Sequence, residues 1–306
     1  MNLNRGDFLR IEWLDSSRGI AILLVVIFHG FLSCEGIFHE INSRLCCIIV
    51  PIFFVISGFL FRNRSLDEFL KSRSRRILIP YFTAQTIVTI LAIQFFPDAK
   101  DRPTDYLIGI FCADVTLPTD HSLADYPLWF LPCLFVAELI FRLSRQKILA
   151  AILISMLGIF CPIHLPWGID IAMTSQIFLI AGYLLRNRSL NWKLILLVLI
   201  LIPTAELNLT IDMPNRIYND PILFFIDGIA GSILIFKLSQ LISNRFLHFI
   251  GRKTLTILIL HVPIFYILEN FGLDPTSNLD CWLKILATIS IILAIDHLNS
   301  RRLFDR

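Results

Sequence analysis

Apolar runs long enough to cross a lipid bilayer recur along almost the whole of this chain. A membrane-spanning helix needs about 20 predominantly apolar residues, and closely spaced runs of this kind favour helices over a barrel. With 56% hydrophobic residues among 306, the composition is that of an integral membrane protein. We predict an all-α, polytopic bundle of about ten transmembrane helices, forming a single domain over residues 1–306 with no appended soluble domain. The predicted segments are 11–33, 44–62, 77–96, 127–144, 147–163, 169–186, 192–207, 221–242, 254–273 and 282–299.

The positions of lysine and arginine predict how the chain crosses the membrane. If the N-terminus lies in the cytoplasm, 22 of the 27 Lys and Arg residues fall in the cytoplasmic loops and termini or at the cytoplasmic ends of the predicted segments. The positive-inside rule then places both termini in the cytoplasm of a multi-pass protein of the cell (inner) membrane. No basic block is interleaved with aromatic residues, which argues against a nucleic-acid partner. The other side holds Arg44, Lys100, Arg102, Arg216 and Lys284.

The first predicted segment carries three ionisable residues, Asp15, Arg18 and His29. Ionisable groups are costly in hydrocarbon and therefore point to function. Eleven residues make about three helical turns, so Arg18 and His29 share one stripe, about 16 Å apart. A neutral imidazole is a natural proton acceptor for a hydroxyl, and Asp15 can orient the Arg18 guanidinium. The alternatives are an interfacial Asp15–Arg18 pair with a snorkelling arginine, and a histidine that only packs.

A second cluster of charge precedes the third predicted segment, where Arg73, Arg75 and Arg76 lead into the string ILIPY. Arg73 and Arg76 are three residues apart and share a face if this stretch is helical. Guanidinium forks suit phosphate oxygens, which makes the cluster a candidate phosphate clamp. The alternative is that these cations only anchor the segment on the cytoplasmic side.

Four further residues are candidates to line the same interior, each with a plainer alternative. Ser57 stands beside Gly58 among bulky residues, where small side chains permit close helix packing. Trp129 opens the fourth segment, a common place for an interfacial belt residue. Asp227 and His261 are polar residues in later segments.

The chain has seven cysteines and no CxxC spacing, so we expect no metal site. An odd count leaves at least one thiol unpaired within the chain. Small apolar packing residues are the simplest interpretation, and a disulfide on the outer side stays open.

These residues occur in strings that together resemble the membrane acyltransferase-3 family, which includes O-acetyltransferases of cell-surface polysaccharides. The resemblance implies ten core spans, essential roles for Arg18 and His29, and acyl transfer at His29. It also implies that Arg73 and Arg76 help to hold an acyl-coenzyme A, and Trp129 and His261 match further family positions. The strings are LDSSRG with ten residues between Arg18 and His29, FFVISGFL, RSRR before ILIPY, LWFL and FIGRKTLTILILHVPI.

The function expected on this basis is transfer of an acetyl group, or another short acyl group such as succinyl, from cytosolic acetyl-CoA or its analogue. The acceptor would be a hydroxyl of a cell-surface or lipid-linked glycan, with polysaccharide-synthesis proteins as further partners and no bound cofactor. The alternative is a non-enzymatic transporter or flippase, because buried ionisable residues also mark transport pathways. Saturable binding of acyl-coenzyme A at the arginine cluster would separate the two classes.

Overall fold

The computed structural model describes residues 11–95, 97–113, 124–188, 196 and 207–304, and its regular elements are all helical. Six helices in these ranges are long and apolar enough to cross a membrane, and two bent helix pairs raise the number to eight. The predicted all-helical, multi-pass fold class is thereby confirmed. The predicted segment 192–207 lies almost wholly outside the described residues. The helices are α1 Glu12–Gly30, α2 Ile37–Ile49, α3 Pro51–Leu60, α4 Leu66–Arg73, α5 Ile79–Phe95, α6 Pro97–Asp101, α7 Pro103–Cys112, α8 Phe130–Leu143, α9 Ile148–Ile159, α10 Ile169–Thr174, α11 Gln176–Leu185, α12 Pro221–Leu241, α13 Arg245–Arg252, α14 Thr254–Asn270 and α15 Asn278–Phe304.

The third span begins well before its apolar run. Ser65 caps α4, where the Ser65 hydroxyl accepts from the Glu68 N–H and the Glu68 side chain accepts from the Ser65 N–H. A π-helical turn, Ser74–Leu78, then joins α4 to α5 as one candidate span, Leu66–Phe95. The basic stretch is therefore helical, and not a loop that leads into a helix. The capping box at Ser65 marks the start of this helix, whereas the hydropathy pattern indicates only its apolar second half.

The second and fifth spans also differ from their predicted bounds. α2 and α3 form one candidate span, Ile37–Leu60, which starts before the predicted residue 44. Its first turns are amphipathic, with Asn42 buried and Arg44 paired to Glu40 on the exposed side. α9 has only 12 helical residues where a segment over 147–163 was predicted, since the chain turns at Phe160.

The stretch 97–126, between the third and fourth predicted segments, contains two short helices, α6 and α7, in its described part. The Tyr81 hydroxyl donates to the Ile110 carbonyl at 2.9 Å, and the Trp167 indole N–H donates to the Phe111 carbonyl at 2.6 Å. These two bonds hold α7 against the bundle. On the same side, the Sγ atoms of Cys34 and Cys281 lie 3.1 Å apart as free thiols.

α13 lies across the end of α1 and bends by 76° into α14. The contact is close because glycines face each other across it. A Cβ on Gly251 would lie 1.8 Å from the Asp15 carbonyl oxygen, and one on Gly19 would lie 2.4 Å from that of Leu247. Small residues let helix backbones approach in this way. The crossing brings Arg252 to the same end of the bundle as Arg18.

A short repeat in the sequence marks a second close crossing. Residues 56–66 read ISGFLFRNRSL and residues 180–190 read IAGYLLRNRSL. Their glycines pack reciprocally between α3 and α11: a Cβ on Gly58 would lie 2.0 Å from the Leu179 carbonyl oxygen, and one on Gly182 would lie 2.0 Å from that of Val55. Val55 and Leu179 precede the two strings at equivalent positions. The repeat therefore makes one local, pseudo-symmetric helix contact.

We expect Gly182→Ala to destabilise the protein, because the new methyl group would overlap the α3 backbone. Overpacking of this kind costs about 1–3 kcal/mol. Leu184→Ala, on the same helix at a side chain that is 46% exposed, is the matched control. Thermal unfolding in detergent should show a lower midpoint for Gly182→Ala than for the control. Equal midpoints would contradict the close packing of α3 against α11.

Candidate active site

A cavity of about 1070 Å³ runs along α1 and is lined by side chains from both ends of this helix. Arg18 is the seventh residue of α1 and His29 lies in its last turn. Both side chains line the cavity, as expected of residues on one helical stripe. Its walls also include parts of α2, α3, α8, α14 and α15 together with residues 210–217.

Two histidines meet in the interior of the bundle. The rings of His29 and His261 have centroids 5.0 Å apart, and Nε2 of His261 lies 3.4 Å from Nδ1 of His29. His29 lines the cavity, whereas His261 is fully buried behind it. Spacing along the sequence could not pair these residues, because 232 positions separate His29 on α1 from His261 on α14.

The hydrogen bonds of the two rings define their tautomers. Nδ1 of His29 lies 2.9 Å from the Val25 carbonyl oxygen, and Nδ1 of His261 lies 2.9 Å from that of Leu258. A carbonyl oxygen only accepts, so each Nδ1 carries the proton when the ring is neutral. Nε2 of His261 then accepts a share of the His29 Nδ1 proton. Nε2 of His29 is left with its lone pair.

Four arginines line the cavity at the end where α1 begins, and we call this end the arginine mouth: Arg18, Arg73, Arg76 and Arg252. Arg18 pairs with the buried Asp15 at 3.2 Å, one turn earlier on α1. Arg76 and Arg252 have exposed side chains. Arg75, between Arg73 and Arg76, is exposed and is not among the described residues that line the cavity.

Arg73 is held by a buried carboxylate on α8. Its Nε lies 2.5 Å from Oε2 of Glu138, and its Nη2 donates to Oε1 at 2.6 Å. The Ser57 hydroxyl donates to the same Oε1. Glu138 is 1% exposed, so its charge depends on these partners. The network joins α3, α4 and α8 and fixes one guanidinium at the cavity wall.

At the opposite end the cavity is lined by a second polar set, which we call the polar mouth: Asn42, Asp212, Tyr266, Glu269 and Lys284. The Asn42 amide donates to the Phe28 carbonyl at 3.1 Å, directly before His29. Asp212 belongs to a turn closed by paired backbone hydrogen bonds with Ile217, each 2.9 Å long. This turn covers part of the cavity and had no signature in hydropathy.

The remaining candidates divide between the cavity wall and the surrounding core. Trp129 is 5% exposed and lines the cavity, as does Ser57. Asp15 is buried beside Arg18. Asp227 is buried on α12 and does not line the cavity in the described part of the chain.

No role was assigned from the sequence to two residues at the arginine mouth, Glu138 and Arg252. Glu138 was visible as an ionisable residue in an apolar segment, which is itself a signal of function. Its partner Arg73 is 65 residues away, and spacing could not connect them. Arg252 was visible in the string FIGRKT, but its position at the cavity depends on the bend between α13 and α14.

The fold and this cavity define a multi-pass membrane protein whose bundle encloses a histidine accessible from a cluster of arginines. The chain belongs to the acyltransferase 3 family, since the family model described as an acyltransferase domain matches residues 11–295. It is therefore a membrane acyltransferase. Of the two predicted classes, enzyme and non-enzymatic transporter, family membership supports the enzyme. Searches of curated proteins and of solved structures found no match.

Proposed function

We propose that the protein moves an acetyl or other short acyl group from cytosolic acyl-coenzyme A to a hydroxyl of a cell-surface or lipid-linked glycan. The observation that carries this proposal is a cavity that joins four arginines to His29. Family membership supplies the reaction class, acyl transfer. The donor and the acceptor are inferred from the chemistry of the cavity.

The arginine mouth suits the donor because coenzyme A carries its phosphates at one end and its thioester at the other. Guanidinium groups bind phosphate oxygens with charge-assisted, often bidentate, hydrogen bonds. Glu138 accepts one hydrogen bond from Arg73, at Nη2, and its second oxygen lies beside Nε, so the guanidinium keeps further N–H groups for a ligand. The phosphates would bind at the arginine mouth while the acyl group extends along the cavity to His29.

Nε2 of His29 is the base in this proposal. It accepts the proton of the acceptor hydroxyl as the hydroxyl oxygen attacks the thioester carbonyl carbon. The C–S bond breaks, and the thiolate of coenzyme A leaves and takes up the proton from His29. A covalent acyl-histidine is the alternative course, in which the acyl group passes first to Nε2 and then to the hydroxyl. His261 is a positioning residue, because its Nε2 favours the His29 tautomer with an unprotonated Nε2.

His29→Ala should abolish acyl ester formation, since loss of a general base typically costs 10²–10⁴-fold. The measurement is mass spectrometry of surface glycans from cells that lack the native copy and express either wild type or the variant. The ester should appear with wild type as the added mass of one acetyl group. His297→Ala is the control, because His297 is exposed and does not line the cavity. Full acetylation with His29→Ala would reduce His29 to a packing residue.

Arg76→Ala should weaken binding of acetyl-coenzyme A by at least about tenfold, because one charge-assisted hydrogen bond contributes about 1.5–3 kcal/mol. Titration calorimetry of the purified protein in detergent measures this. The neighbouring Arg75→Ala removes the same charge at an exposed position that does not line the cavity, and should leave affinity within about twofold. Unchanged affinity in both variants would mean that the cluster acts only as a topological anchor, and equal losses would mean that general positive charge, not contact in the cavity, attracts the donor.

The proposal also requires the arginine mouth to face the cytoplasm, with both termini inside. The charge distribution supports this orientation. After the seven native cysteines are replaced by serine, Lys100→Cys should react with an impermeant thiol reagent in intact cells. Lys71→Cys should react only after lysis. The reverse pattern would separate the arginines from cytosolic coenzyme A and overturn the donor assignment.

A further inference from the structure

The polar mouth contains an ion pair between a buried lysine, Lys284, and a partly exposed carboxylate, Glu269, whose side chain is 26% exposed. Neither donor binding nor the histidine pair requires it. Nζ of Lys284 lies 2.6 Å from Oε1 of Glu269, and both residues line the cavity. The Lys284 side chain is only 2% exposed. Lysine is rarely buried unless paired, and burial of the pair costs desolvation energy. Within the described residues, Glu269 is the single hydrogen-bond acceptor of this ammonium, which has three donors.

This pair lies beside the histidines. Nζ of Lys284 is 5.4 Å from the centroid of the Phe265 ring, which is 6.0 Å from that of His261. A Cβ on Gly30, the residue after His29, would lie 2.9 Å from the side chain of Ile285 and 3.7 Å from Phe265. The ion pair therefore borders the cavity within about one side chain of the site of acyl transfer.

The two mouths differ in charge. Among the described residues that line the cavity, the arginine mouth contributes four guanidinium groups and the carboxylate of Glu138. The polar mouth contributes one ammonium, Lys284, and two carboxylates, Asp212 and Glu269. A polyanion is attracted to the first mouth and finds no excess of positive charge at the second. A ligand of the polar mouth should accordingly be uncharged where it binds.

We propose that Lys284 and Glu269 form the acceptor subsite, and that the acceptor is a neutral sugar residue. This inference rests on the proposed function, since it names the groups that would hold the hydroxyl compound. Each hydroxyl of a sugar both donates and accepts a hydrogen bond, so neighbouring hydroxyls can bind a carboxylate and an ammonium together. Tyr266 adds an aromatic ring and a hydroxyl at the same wall. An anionic sugar would meet the carboxylates of Asp212 and Glu269.

The test removes the ion pair without leaving a lone charge. Glu269→Gln combined with Lys284→Met replaces both partners by uncharged side chains of similar size, a change that proteins often tolerate. Surface glycans are analysed by mass spectrometry as for His29→Ala, and acetyl-coenzyme A binding is measured on the purified variant. Lys253→Met combined with Asp296→Asn is the control, since this ion pair lies outside the cavity lining.

We expect the double variant at Glu269 and Lys284 to form at least tenfold less acetyl ester while its membrane level and donor affinity stay at wild-type values. The control should match wild type in all three measurements. Full acetylation would overturn the subsite alone. A parallel loss of donor binding would assign the pair to the fold and also overturn it. If wild-type cells and His29→Ala cells carry the same esters, both the proposed function and the acceptor subsite are wrong.

A second variant covers loss of folding. Glu269→Lys combined with Lys284→Glu keeps an ion pair but exchanges its ends, so we expect normal membrane level and at least a tenfold loss of ester. Wild-type acetylation in this variant would overturn the subsite. Tandem mass spectrometry also identifies the acetylated sugar. An ester on a uronic acid or a sugar phosphate would overturn the assignment of a neutral acceptor.

Discussion

The ion pair between Arg73 and the buried carboxylate of Glu138 is the interaction on which the arginine mouth depends. An ionised group inside an apolar bundle is retained only where partners or a water-accessible cavity compensate for lost hydration. Glu138 obtains that compensation from Arg73 and Ser57, on two other helices. The carboxylate in turn holds the Arg73 guanidinium at the cavity wall. Function and packing therefore meet in one network, which borders the cavity instead of the lipid.

Close helix crossings set the frame around that network. The glycines of α1 and α13 bring Arg252 to the mouth that Arg18 shares, and the glycines of α3 and α11 hold the helix that presents Ser57. In lipid, helices associate through close packing and interhelical hydrogen bonds. The hydrophobic effect does not drive this association, because lipid tails are as apolar as the helix surfaces. Close backbone contact at glycine thus stabilises helix association here, as burial of a large apolar core does in a soluble protein. The cavity lies between these crossings and the helices α8, α14 and α15, which supply part of its wall.

Hydropathy and charge predicted the membrane class and placed most spans, because those properties are local. They also singled out Arg18 and His29, since an ionisable residue in an apolar run is informative wherever it packs. The pairing of Glu138 with Arg73, and that of His29 with His261, depends on contacts between distant segments, which spacing along one chain cannot show. The turn around Asp212 was missed for another reason: it is short, neither apolar nor periodic, and is defined by two backbone hydrogen bonds to Ile217. Capping at Ser65, by contrast, was readable in principle from the serine and the glutamate three residues later.

The separation of the arginines from His29 has a physical reason in the proposed reaction. Phosphates are far more costly to dehydrate than a thioester, so a donor that keeps its phosphates at the mouth avoids most of that cost. About 16 Å of helix separates Arg18 from His29. Coenzyme A carries its thioester on a long flexible arm, and only this weakly polar part would have to enter the bundle. The acceptor hydroxyl then arrives from the polar mouth, where charge is nearly balanced. In the proposed reaction, a single cavity with differently charged ends would thus bring together two substrates from opposite sides of a membrane without moving either one across it.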